Sequence, residues 1–112
     1  MKKLIMLLPM LLIGALVANG SSKIPCPDEI RIGDTVSFTG PYASFGFNSF
    51  GVKAAFEDIN KLGGIYIKEC GKKLPVRWIT VDIQSDPLKV APLTEDLILR
   101  EKIHFLGGSG LQ

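Results

Sequence analysis

Residues 74–87 read LPVRWITVDIQSDP. The core of this stretch, residues 76–81, is dense in β-branched and aromatic side chains, which favour a pleated, half-buried strand. A different chemistry follows at once. Gln84-Ser85-Asp86-Pro87 is a helix-start signal, with Asp86 as the candidate N-cap and Pro87 at the first helical position, where a missing N–H is harmless. A strand over 74–83 therefore runs directly into a helix, predicted to reach about Lys102 and to bury Val90, Leu93, Leu97 and Ile98. Pro92 fits that helix badly: in an interior turn it deletes a backbone hydrogen bond and clashes with the carbonyl of Leu88, so a kink or a true start near Ala91 is expected.

The pattern repeats on both sides. Upstream, residues 30–38 alternate apolar Ile30, Ile32, Val36 and Phe38 with polar neighbours, the period of a strand. Thr39-Gly40-Pro41-Tyr42 is turn punctuation. From about Ser44 a helical period places Phe47, Gly51, Ala55, Ile59 and Leu62 on one face, with Val52 and Phe56 beside them and Lys53, Glu57, Asn60 and Lys61 elsewhere. Gly63-Gly64 ends this helix, as glycine in the left-handed conformation does. Residues 65–73 form a short hairpin or loop turning at Cys70-Gly71-Lys72. Downstream, residues 103–106 form a third short strand, and Gly107-Gly108-Ser109-Gly110 is the loop after it.

Strand, helix, strand, helix, strand with short connections defines an α/β fold, the start of a doubly wound parallel sheet. Such a sheet needs both faces covered. Three strands and two helices cannot do this, and the sequence ends where the next helix is due, so residues 30–112 read as an incomplete first part of a larger domain. Residues 21–29, with Pro25, Pro27 and several charges, form a lead-in loop.

Composition narrows the function classes. The chain has 112 residues, 46% hydrophobic and 21% charged, with a formal net charge of +2, which excludes collagen, coiled-coil and disordered classes. Both surplus charges, Lys2 and Lys3, lie in residues 1–20, and the rest of the chain carries equal numbers of basic and acidic groups. Without a basic stripe there is no electrostatic footprint for a phosphate backbone, so no nucleic-acid partner is expected. Residues 1–20 themselves have a positive start, an apolar run over 4–17 and a small-residue exit at Ala18-Asn19-Gly20. This is the layout of a secretory signal peptide cleaved after Gly20, and the run is shorter than the ~20 residues of a membrane span.

Export permits disulfides. Cys26 precedes the run at Ile30 by four residues, and Cys70 precedes the run at Leu74 by the same number. On adjacent parallel strands these offsets bring the two thiols to one end, within bridging range; two free buried thiols are the other reading. No metal site is expected, since two cysteines and one distant histidine, His104, cannot complete a tetrahedral set.

Catalytic and cofactor signals fall short. Gly107-Gly108-Ser109-Gly110-Leu111 lacks the fifth-position glycine of a nucleophile elbow, and no glycine loop is followed by the Lys-Ser/Thr pair of a phosphate-binding loop. Asp82 and Asp86 form an acidic pair on paper, but helix capping accounts for Asp86, and no base can be matched with a nucleophile. Neither an enzyme nor a cofactor is expected.

In order along the chain, Ile30-Arg31-Ile32-Gly33 entering Thr39-Gly40-Pro41, then Phe45-Gly46, Glu57-Asp58-Ile59-Asn60 before Gly63-Gly64-Ile65, Asp82 with Gln84-Ser85-Asp86-Pro87, and Phe105-Leu106-Gly107-Gly108 resemble the extracytoplasmic substrate-binding proteins of branched-chain amino acid ABC transporters, the Leu/Ile/Val-binding family. The resemblance implies the first lobe of a two-lobed type I periplasmic binding protein that closes on an aliphatic amino acid or small amide and delivers it to a membrane permease. Ligands in open α/β sheets bind beyond the carboxyl ends of the strands, where residues 39–46 and 107–112 lie. On the family pattern Phe45 lines the pocket, with Tyr42 as a second candidate; Phe45 as a hydrophobic staple for the helix is the competing role. The family's carboxylate-gripping hydroxyl falls near Leu111 in this register, with Ser109 two residues earlier. Two further readings keep their place: the ligand-binding ectodomain of a signalling receptor with the same fold, and a truncated secreted interaction protein that folds by partnering its open sheet edge.

Overall fold

The computed structural model describes residues 25–108. Strand β1 (Ile30–Val36) is the middle strand of a three-stranded parallel sheet, flanked by β4 (Val76–Asp82) and β5 (Phe105–Leu106). Helix α1 (Asn48–Lys61) and a small antiparallel hairpin, β2 (Ile65–Ile67) with β3 (Lys72–Leu74), connect β1 to β4; helix α2 (Val90–Leu99) connects β4 to β5. β1 and β4 pair along their whole length, from Ile30 opposite Val76 to Val36 opposite Asp82. The α/β class and the strand–helix alternation expected from the sequence are present, and no helix among the described residues is long and apolar enough to cross a membrane.

The helices cover opposite faces of the sheet. Side chains alternate along a strand, so Ile30 and Ile32 face one way, into a core with Leu74, Val76 and, from α1, Phe56 and Ile59. Gly33 faces the other way, beneath fully buried Leu97 of α2 and beneath Ile103. A Cβ at Gly33 would lie 2.8 Å from two Ile103 carbons, so only glycine lets that layer close. Residues 33–37 are all buried, as a strand covered on both faces must be.

Several boundaries differ from the sequence reading, each for a local reason. β1 ends at Val36 instead of Phe38, because the Phe38 amide turns to the Asp82 side chain. The strand expected over 74–83 is divided by Pro75, which has no N–H for a ladder: Leu74 pairs with Ile65 in the hairpin, β4 starts at Val76, and the Pro75 carbonyl accepts from the Ile30 amide at 2.8 Å. A 3₁₀ turn, Ala43–Phe47, precedes α1. The inner face of α1 is Ser49, Phe56, Ile59 and Asn60, whereas Phe47, Gly51, Ala55 and Leu62, expected on it, and Val52 beside them are exposed.

At the second crossover, Asp86 caps as expected, its carboxylate accepting from the Leu88 amide at 3.0 Å. It caps a 3₁₀ turn, Pro87–Lys89, and α2 begins only at Val90. Pro92 thus falls in the first helical turn, where N–H groups have no intrahelical acceptor. α2 stops at Leu99, short of Lys102, since Lys102 adopts φ 52° and the Ile103 amide turns back to the Leu97 carbonyl. Ile98 is exposed, not buried. The third strand is correspondingly shorter, starting at Phe105.

A disulfide joins Cys26 to Cys70, with 5.7 Å between their Cα atoms. It ties the lead-in loop to the 3₁₀ turn Lys68–Cys70 of the hairpin. The loop is also held by Glu29, whose carboxylate meets Arg31 at 2.8 Å and Arg77 at 3.6 Å.

Candidate functional site

The carboxyl ends of β1, β4 and β5 lie side by side, and the loops leaving them form one edge. The β1 loop leaves at Ser37 and carries Thr39, Gly40, Tyr42 and Phe45 before α1 begins. The β4 loop is Ile83 to Asp86, with Gln84 and Ser85 in the left-handed region at φ 56° and 57°. The segment after β5 starts at Gly107, whose amide donates to the Gly33 carbonyl at 2.6 Å and whose Cα lies where a Cβ would be 3.0 Å from the Asp34 carboxyl carbon.

Side chains from the β4 loop bind the β1 loop. Asp82 Oδ1 accepts from the amides of Phe38 at 3.0 Å and Gln84 at 2.7 Å, and Oδ2 accepts from the Thr39 hydroxyl at 2.7 Å. The Ser85 hydroxyl donates to the Thr39 carbonyl at 2.7 Å and accepts from the Tyr42 amide at 3.0 Å. Desolvation pulls the Asp82 carboxyl upward, but the hydrogen bonds from Gln84, Thr39 and Phe38 outweigh it and hold the group below the ordinary aspartate value. Asp82 is thus a committed acceptor. With Asp86 engaged as a cap, the pair offers no acid–base couple.

The loop presents its aromatics to solvent. Phe45 is 59% and Tyr42 47% exposed, with ring centroids 6.3 Å apart in a tilted arrangement. A ring stapled against the helix would be covered, so this exposure disfavours the staple role for Phe45. Gly46 explains how the turn seats: it is buried, and a Cβ there would lie 2.5 Å from the Ser37 carbonyl oxygen. The sequence-predicted residues Tyr42 and Phe45 are therefore brought together at the expected edge, while Ser109 and Leu111 lie outside the described residues, as do residues 1–20 and the proposed cleavage point. Thr39 and Ser85 are site residues that the sequence reading does not single out. Their signal is an aspartate closing a strand, followed by three residues before a helix cap, opposite a Thr-Gly turn.

The other end of the sheet holds a concavity of about 490 Å³ among Pro27, Asp28, Glu29, Arg31, Lys102 and His104. His104 Nδ1 accepts from the Arg31 amide at 2.9 Å, and Arg31 is bonded to Glu29 and to the Glu101 carbonyl. These groups close the sheet end on themselves. No group of three or more His, Cys, Asp or Glu side chains placed to hold a metal ion occurs among the described residues.

An open parallel sheet with two neighbouring aromatic rings at its carboxyl edge has the layout in which α/β folds hold their ligands. The sequence matches the family model for periplasmic binding proteins over residues 29–110, and the chain belongs to that family. Its fold is that of a type I periplasmic binding protein. The structure is similar to that of the branched-chain amino acid transporter substrate binding protein LivJ from Streptococcus pneumoniae, solved in complex with isoleucine, with a TM-score of 0.61 and 27% identity over 71% of this chain. The present chain spans 22% of that protein's length. A search of curated proteins finds no match.

Proposed function

We propose that the protein carrying this sequence is the extracytoplasmic solute-binding component of an ABC importer and takes a branched-chain amino acid or a related small amide. The observation that carries the reading is the placement of Tyr42 and Phe45 at the carboxyl edge of a sheet similar to that of an isoleucine-bound binding protein. Such rings wall an aliphatic side chain. The segment after β5, with Ser109 and Leu111, is the place for contacts to the ligand's carboxylate, and backbone N–H groups of a glycine-rich loop suit that charge. Binding is the whole activity, with no catalysis, and the released ligand passes to a membrane permease. Residues 1–20 direct export and are removed after Gly20; the Cys26–Cys70 disulfide agrees with an oxidising compartment.

The test is calorimetric titration of the complete exported protein with isoleucine, leucine and valine, and with lysine and glutamate as contrasts. Saturable binding confined to the aliphatic ligands supports the reading, and binding of lysine or glutamate alone would overturn it.

A further inference from the structure

The five hydrogen bonds on Asp82 and Ser85 do more than close a turn. Four of them reach across to residues 38–42, which lie 43 to 46 positions away in sequence, and each of these lands on the segment that leads into the two exposed rings. We propose that Asp82 and Ser85 are positioning residues for ligand binding: without touching the ligand, they hold the Thr39–Phe45 loop in its ligand-ready form before the ligand arrives. The proposal rests on the functional reading above.

Three observations support it. Within the loop itself the backbone bonds are local: Ala43 N–H donates to the Gly40 carbonyl, Phe45 N–H donates to the Tyr42 carbonyl, and residues 43–47 form a 3₁₀ turn. Cross-links are therefore what fix the loop to the sheet. Next, Gln84 and Ser85 both sit in the left-handed region although neither is glycine; that conformation is unfavourable for an L-residue with a Cβ, and such strain persists where surrounding contacts over-determine it, often at binding sites. Finally, the two loops are shaped to each other. Gly40 has φ 85°, and a Cβ on it would lie 2.7 Å from Ser85 Oγ. A loop ordered in advance raises apparent affinity by the fraction of molecules already competent, while a loose loop lowers it by the same factor.

The experiment uses the complete protein with Thr39→Val, which removes the hydroxyl bonded to Asp82 at constant shape, and Thr39→Ser, which keeps it. Isoleucine affinity is measured by calorimetry, and amide hydrogen exchange at Tyr42 and Phe45 is measured without ligand. We expect Thr39→Val to weaken isoleucine binding roughly tenfold, in the range of one lost hydrogen bond to a carboxylate, with faster exchange at both amides, and Thr39→Ser to restore both to within about twofold. A merely structural role would lower the melting temperature and leave affinity at 25 °C unchanged; that result overturns the proposal. If the wild-type protein binds no aliphatic amino acid, the functional reading fails separately, and exchange decides the clamp: unchanged rates at Tyr42 and Phe45 in Thr39→Val overturn it, faster rates sustain it.

Discussion

Asn60 and Val76 exchange two hydrogen bonds of 2.7 Å: the side-chain amide of Asn60 donates to the Val76 carbonyl, and its carbonyl oxygen accepts from the Val76 amide. A helix side chain thus does for the first residue of β4 what a neighbouring strand would do. The pair fixes how α1 lies across the sheet, and so where the Phe45 turn, which feeds α1, meets the sheet edge.

Replacing Asn60 with Leu leaves a half-buried N–H and C=O without partners, each worth ~1–3 kcal/mol. Asn60→Leu should therefore destabilise the protein by roughly 2–4 kcal/mol in urea unfolding. A midpoint equal to wild type would show that water satisfies both groups and that the pair is incidental.

The disulfide closes a loop between residues separated by 44 positions. In the chain-entropy model such a closure contributes on the order of 4 kcal/mol. Unfolding of the Cys26→Ser, Cys70→Ser double variant should shift to markedly lower denaturant, and addition of a reductant to the wild type should reproduce the shift.

Two glycines give opposite expectations. Gly51 lies in α1 with no atom within 4 Å of the place a Cβ would take, so Gly51→Ala should stabilise by ~0.5–1 kcal/mol through helix propensity. Gly46 has a carbonyl oxygen 2.5 Å from where its Cβ would stand. Gly46→Ala should push the Phe45 turn off the end of β1 and weaken ligand binding, read by titration alongside the thermal melt of each variant.

The Asp82 carboxyl, held below its ordinary value of 3.8 by its hydrogen bonds, stabilises the folded state whenever it is ionised. That contribution is fully present above about pH 4 and is lost as pH falls from 3.8 through the lower folded value. In Asp82→Asn this dependence is absent, so the stability gap between wild type and variant should be constant from pH 7 to about 4 and then narrow. A gap that widens with acid would reverse the assignment.

Much of the architecture is legible in the sequence because strand and helix periods differ and because Pro and Gly punctuate them. Gly63 and Gly64, at φ 92° and 94°, end α1 where the sequence places its end. Tyr42 and Phe45 fall at the carboxyl edge of the sheet because strand order in an α/β fold dictates where the loops after the strands lie. What is not legible depends on polar side chains acting across long sequence distances. Asn60 reads as an outer-face residue of α1 because amides are usually solvated, and only the neighbouring β4 backbone makes it an inward one. Ser49 is likewise buried, although serine is more often solvated. Thr39 and Ser85 read locally as turn and helix-start residues, and that they meet across 46 residues shows only in the fold.

The most direct test of the central claim is isothermal titration of isoleucine into the complete protein and into its Phe45→Ala variant. Burial of a phenylalanine ring against an aliphatic ligand is worth ~1.5–3 kcal/mol, so the account predicts a saturable wild-type isotherm and an affinity about 10- to 100-fold weaker in the variant. An unchanged affinity in Phe45→Ala, with wild type binding normally, would contradict the assignment of this edge as the ligand site.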